Sequence, residues 1–446
     1  MVKVSDFDPE RHEVLRAALK YFEAKFGQRE FIPGETYIPV TAKSMNENDL
    51  MFLLDSSLDL WLTAGRYANQ LESKLSAKIG KRPKALLVNS GSSANLLAFS
   101  SLCGVSMSSF DLEPIQPGSE VITVASGFPT TVNPIIQNGC IPVFVDITLQ
   151  TLGVDMAQLE NALTKKTKAV IMAHALGNPY RADKIREFCD QHELYLIEDC
   201  CDALGAEISG KPAGSFGHYS TLSFYPAHHI TMGEGGAVFS ETHQLRRVAE
   251  SMRDWGRDCW CEPGKDNTCG KRFDWKLGSL PAGYDHKYTY SNIGYNLKVT
   301  DMQAAVGLSQ LERVDDFVFA RRENWKKLNS GILDSPVLSE NLKPITAEEG
   351  TNPSWFGFPM HCADSLNRNR LSRYLEDRKV GTRLFFGGNL VRQPAYKNVD
   401  FRQIGDLVNS DRVMEKTFWI AVHPLLTDEM INYMLETLES GVREQL

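Results

Sequence analysis

The chain has 446 residues, 42% of them hydrophobic and 23% charged, with a formal net charge of -8. That length supplies a core large enough for two domains, and the acidic balance lacks the basic footprint that neutralises nucleic-acid phosphates. No stretch reaches the roughly 18 apolar residues needed to span a bilayer and the N-terminus has no signal-peptide apolar segment, so a cytoplasmic protein without membrane or nucleic-acid partners is expected.

From about residue 84 to about 240, β-rich runs alternate with segments of helical spacing. The strand candidates are ALLVNS, EVITVA, IPVFVD, AVIMAHA, LYLIED and TLSFY, and SSANLLAFSSL and DKIREFCDQHE are among the helical segments. This alternation predicts an α/β fold with a mostly parallel sheet, helices on its faces and ligand groups at the strand ends. The stretch from about 241 to about 310 is rich in Gly, Asp, Cys and aromatic residues and reads as an elaborated loop region. It leads into the helix TDMQAAVGLSQLERVDDFVFARRENWKKL, after which a smaller α+β unit begins near residue 330.

Three local features carry chemistry. The strand ALLVNS ends in Ser90-Gly91-Ser92-Ser93-Ala94-Asn95 and turns helical, offering a phosphate the amides and hydroxyls of a helix N-terminus; the same residues also suit a plain helix cap. LYLIEDC puts Asp199 at the end of a buried strand, where a carboxylate needs a cationic or hydrogen-bonding partner such as a protonated ring nitrogen. SFYPAHHITMGEGG sets His228 and His229 between an aromatic run and a glycine turn.

Taken in order, SGSSA, GFPTTVNP, PVFVD, HALGNP, IEDCCDALGA, SFYPAHH, GEGGAVF and GYNLKVTDMQAA resemble the sugar aminotransferase family that acts on nucleotide-linked keto sugars, a branch of the fold-type I pyridoxal-phosphate enzymes. The resemblance covers nearly the whole chain. It implies a large cofactor-binding domain over 1–310 with a mostly parallel seven-stranded sheet, and a smaller α+β C-terminal domain over 311–446. Five residues after Ser223, where that family has the lysine that binds the cofactor as a Schiff base, this chain has His228. Imidazole cannot form that bond, so the implied cofactor is the amine form, pyridoxamine 5'-phosphate, with His228 as the proton carrier. The resemblance also places Ser92, Ser93 and Ser223 on the phosphate, Asp199 on the pyridine nitrogen and Phe128 on the ring face. Asn296 would reach the phosphate across a homodimer interface. By residue type alone, Phe128 equally suits a core aromatic and Asn296 a turn, and His229 is left a structural role.

Cys201, Cys259, Cys261 and Cys269 have the spacing C-x57-C-x-C-x7-C, which leaves both a zinc ion and an iron–sulfur cluster open. Cys201 lies two residues from Asp199, at most about 7 Å away in an extended chain, whereas Cys200 should point elsewhere. Cys103, Cys140, Cys189 and Cys362 read as buried small hydrophobes. Histidine for lysine together with this spacing resembles the nucleotide-sugar 3-dehydrases of the CDP-4-keto-6-deoxyglucose 3-dehydrase type, which carry a [2Fe–2S] cluster. That resemblance implies C3 deoxygenation of a nucleotide-linked 4-keto-6-deoxyhexose, fed with electrons by an NAD(P)H-dependent flavin and iron–sulfur reductase. Arg383 and Asn389, in GTRLFFGGNLVRQPAY, resemble the family's nucleotide-sugar contacts. The competing readings are a cluster-independent 3-dehydratase, an aminotransferase and a noncatalytic zinc-stabilised interaction protein.

Overall fold

Apolar runs bounded by turn residues become strands buried on both sides, as parallel strands between helical layers must be. They form one sheet in the structure, a computed structural model that describes residues 3–27, 30–81, 83–261 and 264–446. Its eight strands lie in the order Leu86–Val88, Gly236–Ser240, Tyr219–Ser223, Tyr195–Asp199, Thr167–Ala173, Glu120–Val124, Ile141–Val145 and Arg402–Gln403. Gly236–Ser240 alone runs against its neighbours. The fold is therefore α/β with a mostly parallel sheet, as expected, and it carries one strand beyond the expected seven. That strand, Arg402–Gln403, pairs in parallel with Ile141–Val145. Two residues have no periodicity to read; the Arg402 guanidinium, which donates to both oxygens of Glu120 at 3.3 and 2.8 Å, helps to hold them.

A second, antiparallel sheet runs in the order Leu342–Pro344, Phe358–Cys362, Thr417–Ile420 and Arg383–Leu384, with its own apolar core against Asp428–Arg443 and neighbouring helices. The single helix expected from Thr300 onward is two, Asp301–Leu311 and Val314–Asp334. At the break Arg313 donates to both oxygens of Asp49, at 2.9 and 2.7 Å. Of the four cysteines expected to be buried, Cys140, Cys189 and Cys362 are, whereas Cys103 at the end of helix Gly91–Leu102 is only half-buried. Among the described residues no helix is long and apolar enough to cross a membrane.

The motif KVTDMQAA has a structural use. Helix Arg66–Ile79 starts at Gly65, which has no side chain to cap it. The buried Asp301 carboxylate accepts instead from the amides of Gly65, Tyr67 and Ala68, at 2.8, 3.2 and 2.8 Å. Glycine is required there, since a Cβ would sit 2.7 Å from the Trp61 ring and 3.0 Å from Asp301 itself. Removing the carboxylate leaves three helix-start amides without their acceptor. Asp301→Ala should lower unfolding free energy by roughly 3 kcal/mol, read as an earlier denaturant midpoint, and Asp301→Asn by less. An unchanged midpoint in Asp301→Ala would show that these bonds do not hold the helix.

Candidate active site

In a parallel sheet the strand ends share one edge, and here they enclose a cavity of about 590 Å³. After Val88 the chain turns into helix Gly91–Leu102, whose start is capped by Ser90 Oγ accepting from the Ser93 amide at 3.0 Å. Gly91 allows close packing: a Cβ would lie 2.3 Å from Ser223 Cβ and 3.0 Å from Cys201 Sγ. Ser92, whose hydroxyl donates to Thr130 Oγ1 at 3.1 Å, and Ser223 both line the cavity. Amides at a helix N-terminus beside two hydroxyls fit a phosphate. Ser93 is turned toward the cap, accepting from Ser90 Oγ at 3.0 Å, and its side chain is not on the cavity wall.

Asp199 ends the strand that pairs directly with the one ending in Ser223 and is almost fully buried, with one face on the cavity. Its Oδ2 accepts from Asn95 Nδ2 at 2.8 Å and from Thr131 Oγ1 at 2.6 Å, and its Oδ1 accepts from the Cys201 amide at 3.1 Å. Thr221 Oγ1 donates to Asn95 Oδ1 at 2.6 Å, which turns the Asn95 amide group toward Asp199. A carboxylate fixed this way suits the N–H of a pyridinium ring. Phe128 precedes helix Pro129–Gln137 and keeps 45% of its surface exposed, with a face on the cavity and an edge contact to Phe386 at 5.7 Å. A phosphate cradle, a ring-nitrogen carboxylate and an aromatic face are what pyridoxamine phosphate needs, so the residues fit it.

His228 lies in the same cavity, on a turn closed by its amide donating to the Tyr225 carbonyl at 2.9 Å. Its Nε2 is 3.5 Å from Asp202 Oδ1, and its buried Nδ1 has no hydrogen-bond partner among the described residues. Burial pushes the imidazole down to about 4, with Arg321 adding to the shift, so the ring is neutral near pH 7. Burial, then the Asp199 charge, raises the Asp202 carboxyl to about 7. His229 is different: its Nε2 meets the Ser354 carbonyl at 2.9 Å, a packing role.

Cys201 lines the cavity with its thiol held well above the usual range, by burial first and then by Asp199. Cys200 is buried on the other side of the chain and donates to the Glu198 carbonyl at 3.8 Å, the expected alternation. Cys259, Cys261 and Cys269 are half-buried in the loop region, with Cys259 and Cys261 in hydrogen-bond contact and Cys261 Sγ 3.1 Å from Thr268 Oγ1. Four thiols are the right donors for a [2Fe–2S] cluster. Among the described residues, the one group of three metal-ligating side chains with ligand atoms within 4.8 Å is His174, Glu198 and Cys200. Glu198 there already accepts from the amides of Gly214, Phe216 and Gly217 and faces His174 Nε2 at 3.1 Å, so that trio is a buried anchor.

Three expected residues lie differently. Asn296 is exposed outside its own chain's cavity, with Oδ1 accepting from Lys298 at 2.7 Å. Arg383 stands on the cavity wall with most of its side chain exposed, donating to the Thr382 carbonyl at 2.7 Å. Asn389 is not on the wall of this cavity: it is fully buried, donates to Asp411 at 2.7 Å and accepts from the Val391 amide at 3.1 Å. Asn95, Thr131 and Asp202 belong to the site although their sequence reading gave them no role. Asn95 and Asp202 sit inside the quoted SGSSAN and EDCCD stretches, and only the partner across the cavity distinguishes them. Phe356 and Trp419, also on the wall, come from the second sheet's segments and carry no local signal.

A family model described as the DegT/DnrJ/EryC1/StrS aminotransferase family matches residues 44–439. The chain is 49% identical over 431 residues to the lipopolysaccharide biosynthesis protein RfbH of Salmonella typhimurium, covering 96% of this chain and 97% of that one. It is 48% identical over 436 residues to the dTDP-4-dehydro-2,6-dideoxy-D-glucose 3-dehydratase of Saccharopolyspora spinosa, covering 97% and 93%. Among solved structures, E. coli GDP-4-keto-6-deoxy-D-mannose-3-dehydratase with bound hydrated PLP matches with a TM-score of 0.79 at 26% identity, over 91% of this chain and 100% of that one. The chain belongs to the DegT/DnrJ/EryC1/StrS aminotransferase family of pyridoxal-phosphate-type fold.

Proposed function

We propose that this chain is a cytoplasmic, pyridoxamine-phosphate-dependent 3-dehydrase that deoxygenates C3 of a nucleotide-linked 4-keto-6-deoxyhexose in deoxysugar biosynthesis. The observation that carries this reading is His228: an imidazole stands on the cavity wall where the family's lysine is expected, with Asp202 Oδ1 3.5 Å from its Nε2. The two relatives named as sugar 3-dehydratases support it. Bound pyridoxamine phosphate supplies an amine for the C4 ketone and a ring that accepts electrons. Ser92, Ser223 and the helix amides hold its phosphate, with Ser93 in support; Asp199 holds the ring nitrogen and Phe128 the ring face. His228 takes the proton from the cofactor's C4' carbon, and Asp202 beside Nε2 orients the imidazole. Arg383 at the cavity wall meets the nucleotide's phosphates.

The division at residues 310 and 311 is part of the same reading, and so is a homodimer in which the exposed Asn296 serves the phosphate of the second copy's site. A [2Fe–2S] cluster on Cys201, Cys259, Cys261 and Cys269, reduced by an NAD(P)H-dependent flavin and iron–sulfur protein, is its finer part. The second reading is a cluster-independent 3-dehydratase with the same His228 chemistry, supported by the solved 3-dehydratase with bound hydrated PLP that this chain resembles.

Product analysis after mixing the purified chain, reductase and CDP-, dTDP- and GDP-4-keto-6-deoxy sugars tests the main reading, and a 3-deoxy product is expected. His228→Lys should bind pyridoxal phosphate covalently, visible by mass after borohydride reduction, and lose at least about 100-fold in deoxygenation. Full activity in that variant would remove His228 from proton transfer. Because His228 accepts a proton only while neutral, washout of the cofactor's C4' hydrogen should be level above about pH 6 and fall as pH drops through about 4. A midpoint near 6.5 would mean that burial does not tune this group. Cys201→Ser and Cys259→Ser should each lose the electron paramagnetic resonance signal of the reduced cluster, and Cys200→Ser should keep it. Iron-free protein with full deoxygenation activity would select the cluster-independent reading.

A further inference from the structure

Two unlike surfaces touch His228. Asp202 approaches Nε2 at 3.5 Å, whereas the Phe356 ring meets the imidazole edge-on, with centroids 5.3 Å apart and planes at 83°. Trp419 packs on Phe356 at 5.5 Å, and Leu384 and Val40 line the same cavity. The one polar side-chain atom of Trp419, Nε1, donates to the Leu384 carbonyl at 2.9 Å, so the side chains of Phe356, Trp419, Leu384 and Val40 offer a ligand no hydrogen bond. Its packing is close: at Gly357 a Cβ would lie 2.3 Å from the Trp419 ring.

Resting on the 3-dehydrase reading, we infer that the Phe356–Trp419 wall selects the 6-deoxy character of the substrate by receiving its C6 methyl group. The sugar's C4 is bonded to C3, which carries the departing hydroxyl, and to C5, which carries C6. The departing oxygen needs polar surroundings, which Asp202 supplies beside His228. The methyl group gains from leaving water against an apolar wall. A hydroxymethyl group in its place would bury a hydroxyl that finds no partner on Phe356, Trp419 or Leu384.

The test uses the full chain loaded with pyridoxamine phosphate. Calorimetry compares dTDP-6-deoxyglucose with dTDP-glucose, and the CDP pair in parallel; these lack the C4 ketone and cannot react. The 6-deoxy probe should bind about 100-fold more tightly, the discrimination an apolar pocket gives against an added hydroxyl. Trp419→Gln should narrow the ratio to below about tenfold, and Trp419→Phe should preserve it. Leu384→Gln, at an exposed position, should narrow the ratio without risk to the core. Equal binding of the two probes by the wild type, or a ratio unmoved in both Gln variants, overturns the inference. A 6-deoxy preference without deoxygenation of any 4-keto sugar supports the wall and counts against the 3-dehydrase reading. Equal turnover of 4-keto sugars with and without the 6-hydroxyl supports that reading and overturns the wall.

Discussion

A carboxylate at the end of a buried strand is stable only among donors, and the three that serve Asp199 come from separate parts of the chain. Asn95 belongs to helix Gly91–Leu102, Thr131 to helix Pro129–Gln137, and the Cys201 amide to the turn that follows the strand itself. Thr221 joins the set through Asn95, so a fourth element, the strand that leads to Ser223 and His228, is tied to the same point. Satisfying one buried charge thus sets the relative positions of the phosphate cradle, the aromatic face and the histidine loop. Behind the sheet, Glu198 does the same with the amides of Gly214, Phe216 and Gly217, fixing the turn that starts that strand. Adjacent carboxylates facing opposite sides of one strand organise the site from both faces.

Much of this was legible because the site is assembled from local motifs at strand ends. Alternating strand and helix patterns bring such ends to one edge whatever the details of the turns. Ser92, Phe128, Asp199, Cys201, Ser223 and His228 therefore share the cavity as their motifs suggest. What escaped the sequence depends on side chains meeting across the fold. Asp202 differs from any surface aspartate only by its position against His228, and Phe356 and Trp419 become cavity residues only through the docking of the second sheet. Asn389 shows the reverse: an asparagine before a short helical turn is a cap by local chemistry, and that use takes both ends of its amide. The spacing of the loop cysteines is readable but names no ligand by itself, and each of the three is half-buried.

The strand Arg402–Gln403 has a mechanical consequence. The chain leaves the four-stranded sheet after Leu384 and rejoins it at Thr417, and between these points it is laced to the far edge of the eight-stranded sheet. A few residues on, Asp146 accepts from the amides of Asn409 and Ser410 at 2.8 Å each and from the Ser410 hydroxyl at 2.6 Å. Swinging one sheet away from the other as a hinged jaw would break both fastenings. Arg383 and Trp419, on either side of this laced stretch, are thereby kept at a fixed span from Asp199. Opening the cavity by that motion would therefore cost these bonds.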